Sequence, residues 1–161
     1  IVGYNYGAKN YTRVKQAYKT ALLWVSVMAT FAFLCFQLFP HQITLIFGQG
    51  SEEYFHFAEQ YLRIYMFFTC LNGIQPLTSN FFTSIGKARR GILISLTRQI
   101  LFLLPLVVLL PLLFGIAGIM YAGPIADGAA AIVSVILVAA ELRNMTMLEK
   151  LRAAEGAPGH A

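Results

Sequence analysis

Four apolar runs, each long enough to cross a bilayer, are joined by segments that alternate between basic and charge-poor. The runs cover residues 17–39, 54–86, 92–114 and 119–140. A helix rising about 1.5 Å per residue needs about 20 residues to span a hydrocarbon core of about 30 Å. Only 12% of the chain is charged and 58% is hydrophobic, whereas soluble domains carry about 25% charge. Half the usual charge cannot coat a water-soluble globule, so lipid is the expected solvent. In lipid the backbone must satisfy its own polar groups within each span. The expected fold class is therefore an all-α membrane protein, a polytopic bundle of four transmembrane helices.

The basic residues give the bundle a direction. Lys9, Arg13, Lys15 and Lys19 lie before or at the very start of the first run; Lys87, Arg89 and Arg90 separate the second and third; Arg143, Lys150 and Arg152 follow the fourth. The intervening segments 40–53 and 115–118 hold no Lys or Arg. Ten of the twelve basic residues thus fall on one side, leaving Arg63 and Arg98. The positive-inside rule makes that side cytoplasmic, with the C-terminus inside. The net charge of +5 is then a mark of topology, and no nucleic-acid partner is expected.

Three regions follow from this pattern. Residues 1–16 read as the end of a preceding helix and a cytoplasmic loop, 17–143 as the membrane portion, and 144–161 as a cytoplasmic tail, basic and then flexible. The first residues lack Met and any signal-peptide pattern, so the chain is expected to be a C-terminal fragment. Pro40 is expected to end the first span and open a loop to Glu53. Pro105 and Pro111 imply a kink in the third. Cys35 and Cys70 lie inside spans and read as packing residues.

No soluble-enzyme signature stands out, and no cofactor is expected. Gly3, Gly7 and Lys9 have the wrong spacing for a phosphate loop. His41, His56 and His160 do not cluster, which gives no support for a metal site. The polar residues inside the spans carry more information. Asn72, Gln75, Ser79 and Thr83 fall on one helical face. Uncompensated amides in hydrocarbon cost several kcal/mol each, so this face looks at protein or water. It either lines a cavity or supplies hydrogen bonds between helices. Asp127, in AGPIADG, lies about 12 Å into the fourth span. An acid there costs about 2.5–3.5 kcal/mol and is either functional or a buried structural group. Glu59 and Arg63 are spaced to pair along one helix. Arg98 is expected to snorkel to the cytoplasmic surface.

The stretch IVGYNYGAKNYTRVKQA resembles a segment of multidrug and toxic compound extrusion (MATE) transporters, at the cytoplasmic end of the eighth helix. QPLTSNFFTSIGKARRGI is similar to that family's tenth helix and the basic loop after it. FGIAGIMYAGPIAD is similar to the connection into the twelfth helix. The resemblance implies the end of helix 8 plus helices 9–12 of a twelve-helix exporter with two lobes. It implies export of cationic or amphipathic drugs by Na⁺ or H⁺ antiport, in an inner (plasma) membrane, with an N-terminal lobe of the same protein as partner. Asn72, Gln75, Ser79, Thr83 and Asp127 would line this lobe's side of the cavity. The family's coupling acids in helices 1, 7 and 10 have no match here, so the coupling site is unassigned, with Asp127 one candidate. Rival expectations are a lipid-linked oligosaccharide flippase of the same superfamily, a small four-helix dimeric exporter, and a purely structural membrane subunit.

Overall fold

In the computed structural model the described residues are 1–47 and 50–155. They form a bundle of helices: α1 (Val2–Gly7), α2 (Tyr11–Leu38), α3 (Pro40–Phe47), α4 (Glu52–Tyr65), α5 (Ile74–Ser84), α6 (Ala88–Leu96), α7 (Leu104–Phe114) and α8 (Ile116–Glu155). A 3₁₀ turn, Thr69–Leu71, lies between α4 and α5, and a π-helical stretch, Thr97–Leu103, joins α6 to α7. Three continuous helices are long and apolar enough to cross a membrane: Tyr11–Leu38, Ala88–Phe114 and Ile116–Ala154.

The second apolar run departs from the expected single helix over 54–86. Helix α4 ends at Tyr65 and α5 begins at Ile74. Pro76 has no N–H to give the Asn72 carbonyl, and its ring crowds that oxygen. Asn72 and Gly73 are themselves poor helix formers. The chain therefore turns between the two pieces and resumes a helix with Pro76 in its first turn, where no donor is missed. Gly73 sits tightly under α2, since an added Cβ would lie 2.1 Å from Val25 Cγ1.

Two other boundaries shift for related reasons. Pro40 starts helix α3 as well as following the end of α2, because a proline is favourable at a first helical position. The expected loop is thus helical through Phe47, and residues 48–49 lie outside the described residues. Ser51 caps α4 by accepting the Tyr54 N–H at 3.3 Å, and Glu52 and Glu53 oppose the helix dipole in its first turn. The Glu59–Arg63 pair does not form. Glu59 instead binds His41 Nδ1 at 2.6 Å, tying α4 to α3, and the Arg63 carbonyl accepts from Gln37 Nε2 at 2.9 Å. An i,i+4 pair is worth only about 0.3–0.5 kcal/mol, so a partner from a packed neighbour displaces it easily.

The third run bends where proline was expected to bend it, by a specific device. Pro105 leaves the Leu101 carbonyl without its usual donor. The turn before it widens, and the Leu104 N–H reaches back five residues to the Gln99 carbonyl. Gly115 (φ +61°) then closes a tight hairpin into α8. At Gly118 an added Cβ would lie 2.4 Å from the Leu110 carbonyl.

Helix α8 passes through Pro124 and continues to Glu155, about 60 Å at helical rise. The segment expected to be a flexible tail is thus helical to Glu155; residues 156–161, His160 among them, lie outside the described residues. Its inward face explains the order. Met145 is fully buried, and Glu149 binds Lys15 Nζ at 2.5 Å and the Thr12 hydroxyl. The main apolar core lies at this basic end, where Val14 and Tyr18 of α2, Phe81 and Phe82 of α5, Ile94 of α6 and Val138 and Met145 of α8 meet. Tyr18 and Thr78 share a buried hydroxyl hydrogen bond of 2.9 Å there. Trp24, Met28, Phe31, Leu112 and Ile132 remain exposed, as expected of surfaces that face acyl chains. Cys35 and Cys70 are free thiols, half-buried.

Two outcomes follow. A Cβ at Gly91 would lie 2.7 Å from the Ser79 carbonyl of α5, and backbone cannot yield as a side chain does. Gly91→Leu should lower stability in nanodiscs by about 1–3 kcal/mol, read as a fall in Tm, whereas Gly7→Ala, with open space around it, should not. The Glu149 carboxyl is held below its ordinary 4.5 by hydrogen bonds from Lys15 and then Thr12. A depressed carboxylate pKa contributes stability above its unfolded value and loses it as pH falls through the folded one. Spin labels on Gln16 and Leu148 should therefore keep a fixed separation at neutral pH and spread below about pH 4.5; Glu149→Gln should remove that pH dependence.

Candidate functional site

Asp127 lies inside α8, 11 residues from the helix start and 14 from Glu141, hence about 17 Å and about 21 Å along the axis. It is only 9% exposed. Small residues surround it: Ala122, Ala126, Ala130 and Ala131 are buried, and Gly123 lies against the ring of Tyr65, close enough that a Cβ would come within 2.5 Å. Gly128 stands near Phe68. The acid is therefore level with the place where the second run leaves its helix.

Arg98 meets it there. Its Nε donates to Asp127 Oδ1 at 2.6 Å. Arg98 belongs to the π-helical stretch, so the pair ties that irregular segment to the continuous helix α8. The expected snorkelling to the cytoplasmic surface does not occur. A charge deep in hydrocarbon costs several kcal/mol alone, and an opposite charge within reach removes most of that penalty. The hairpin arithmetic carries the signal: Arg98 lies 17 residues before Gly115 and Asp127 lies 12 after it. The two are thus within about 7 Å of the same depth, a gap that an arginine side chain covers.

The polar face of α5 is spent largely on α6. Ser79 donates to the Gly91 carbonyl at 2.7 Å and shares a 2.8 Å hydrogen bond with Ser95. Gln75 Nε2 donates to the Ile94 carbonyl at 3.2 Å. Thr83 binds back to the Ser79 carbonyl of its own helix at 3.0 Å. Asn72 is exposed at the end of the 3₁₀ turn. Gly91, Ile94, Ser95 and Arg98 share one side of their helix by spacing. The α5–α6 polar seam thus leads along that side to Arg98, and from it to Asp127. Gln75 and Ser79 are brought together; Asn72 and Thr83 stand at the seam's ends.

A second buried acid lies nearer the basic side. Glu141, 2% exposed, accepts from Lys87 Nζ at 2.5 Å and Arg90 Nη1 at 2.8 Å. It is the anchor that holds the GKARRG turn to α8. A cavity of ≈400 Å³ opens between α2, α4 and the part of α8 just before Asp127. Gln37, Arg63, Phe67, Phe68, Tyr121 and Pro124 are among its walls. Among the described residues, no buried side-chain nitrogen or oxygen lacks a hydrogen-bond partner.

The family model for MatE matches residues 1–109, and the chain belongs to that family, whose members are membrane transporters and not enzymes. A solved structure called "protein A" is 34% identical, with a TM-score of 0.83 over 90% of this chain and 32% of its own. The chain thus spans about a third of the length of that structure. No curated protein matches the chain.

Removing one member of the central pair leaves the other charge uncompensated. Arg98→Ala and Asp127→Ala should each cost about 3–5 kcal/mol, while Arg98→Met with Asp127→Leu should cost much less. Folded yield and Tm of the three full-length proteins check this; equal losses in singles and double would disprove it.

Proposed function

We propose that the chain forms most of one lobe of a secondary active exporter, which expels cationic or amphipathic small molecules in exchange for Na⁺ or H⁺. The observation that carries this is the buried Arg98–Asp127 pair at the level of the broken second run and the π-helical stretch, in a chain of the MatE family. Transporter sites gather where spanning helices are interrupted near the midplane. An intramembrane ion pair gives such a site something to exchange. A proton or Na⁺ arriving at Asp127 competes with Arg98 for the same carboxylate, and the freed guanidinium changes the field in the cavity beside Pro124. The aromatic walls at Phe67, Phe68 and Tyr121 suit an amphipathic guest.

On this proposal the two lobes rock about the site, and the partner lobe lies outside this chain. Asn72, Gln75, Ser79, Thr83 and Asp127 line this lobe's side, with Gln75 and Ser79 also holding α5 to α6. The protein sits in the plasma membrane with the C-terminus in the cytoplasm, as the Lys and Arg distribution indicates. A lipid-linked oligosaccharide flippase would need several cations free to hold a pyrophosphate; Arg98 is neutralised by Asp127, which leaves Arg63 as the single arginine lining the cavity.

Ethidium efflux by the full-length protein in everted vesicles, with Na⁺ and pH varied separately, tests the proposal. Efflux should follow one gradient, and Asp127→Asn should slow it at least about tenfold at equal abundance, the scale on which loss of a charged partner acts. Efflux indifferent to both gradients would overturn it.

A further inference from the structure

At the basic end, α2 and α8 diverge to leave a groove of ≈470 Å³. Four cations line it: Lys15 and Lys19 from α2, Arg143 and Lys150 from α8. Only Lys15 has a carboxylate partner, Glu149 at 2.5 Å. Among the described residues, Lys19, Arg143 and Lys150 have none. The acids near the membrane portion are already engaged, Asp127 with Arg98, and Glu141 with Lys87 and Arg90. Three uncompensated cations facing one groove repel one another and leave a concentrated positive field.

The groove's floor is not all polar. Leu142 and Met147 contribute apolar surface beside Thr146, whose hydroxyl accepts from Lys15 at 3.3 Å. Away from the basic end, each helix carries an apolar track in line with its cations. On α2, Leu23 and Val27 follow Lys19 at helical spacing and are 59% and 54% exposed. On α8, Ile136 and Ile132 lie seven and eleven residues before Arg143 and are 61% and 63% exposed. A cationic pocket that opens onto two acyl-facing tracks matches a phospholipid, headgroup in the pocket and chains along the helices.

We propose that this groove binds an anionic phospholipid of the cytoplasmic leaflet, through its headgroup phosphodiesters. Lys19, Arg143 and Lys150 hold the phosphate oxygens, Lys15 and Thr146 form the back of the pocket, Met147 packs beside the headgroup, and Leu142 receives the first acyl carbons. Anionic lipids are concentrated on that leaflet, and basic pockets between spanning helices are suited to their headgroups. The site is separate from the Arg98–Asp127 centre and does not depend on what the protein transports.

Native mass spectrometry of the full-length protein, extracted in mild detergent and titrated with cardiolipin, phosphatidylglycerol, phosphatidylcholine or inorganic phosphate, tests this. Cardiolipin and phosphatidylglycerol should bind and raise Tm; phosphatidylcholine and phosphate should do neither. The Lys19→Gln, Arg143→Gln, Lys150→Gln variant alters exposed side chains outside the core and should fold normally. It should bind cardiolipin at least about tenfold more weakly, since three basic contacts to the headgroup are lost. The charge-keeping variant Lys19→Arg, Arg143→Lys, Lys150→Arg should bind like wild type. Equal binding by wild type and the Gln variant, equal binding of phosphatidylcholine, or saturation by phosphate alone would each overturn the proposal.

Discussion

In a medium that cannot solvate charge, every ionised group on a spanning helix must be matched by another before the helix can sit there. Helix α8 carries two such acids, and both are answered from one stretch of chain. Asp127 takes Arg98 from the π-helical segment, and Glu141 takes Lys87 and Arg90 from the turn that starts α6. The pairing sets where the α6–α7 helix lies against α8. Much else follows from it: small residues on α8 let the partners approach, and Gly91 lets α5 close onto α6 behind them. The polar seam of Gln75 and Ser79 is possible because those backbones are already in contact.

The same medium governs the irregular backbone. Pro76 and Pro105 each deprive a carbonyl of its helical donor, and neither site has bulk water to fall back on. The chain solves the two cases differently. Beside Pro76 it abandons the helix for a 3₁₀ turn packed on α2 and α8. Beside Pro105 it keeps a helix but widens it, so that Gln99 receives the Leu104 N–H. Both solutions fall at the depth of Asp127, where a charge and loosened backbone are mutually useful.

The apolar runs and their alternating basic loops made the helical, membrane-spanning character legible, because those features report the solvent directly. The Gly-Tyr-Asn-Tyr-Gly-Ala-Lys stretch made the MatE family legible. Less was visible at single residues. Pro76 sits inside a run whose polar residues Asn72, Gln75, Ser79 and Thr83 keep helical spacing on both sides of it, so periodicity reads through it and misses the break. Arg98 looked like a snorkelling residue because its partner is 29 positions away in sequence and only the hairpin's fold brings the two to one depth. Glu59 offered a neighbour at helical spacing and took His41 from another helix. The helical tail was obscured by its charge, since the burial of Met145 depends on α2 and α5 being in place.

The spacing of the two acids on α8 has a mechanical meaning. Fourteen residues are close to four helical turns, so Asp127 and Glu141 project from nearly the same side of the rod. The opposing helix presents Arg98 and, eight and eleven residues earlier, Arg90 and Lys87, whose long side chains cover the remaining difference. The arrangement works like a key with two teeth: sliding by a single turn, about 5.4 Å, would unseat both pairs together and leave several charges stranded in hydrocarbon. Small errors of register are thus not graded but rejected outright, and α6, α7 and α8 are held as one piece. Whatever bending this bundle undergoes is left to the other side, where the α4–α5 turn interrupts the second run.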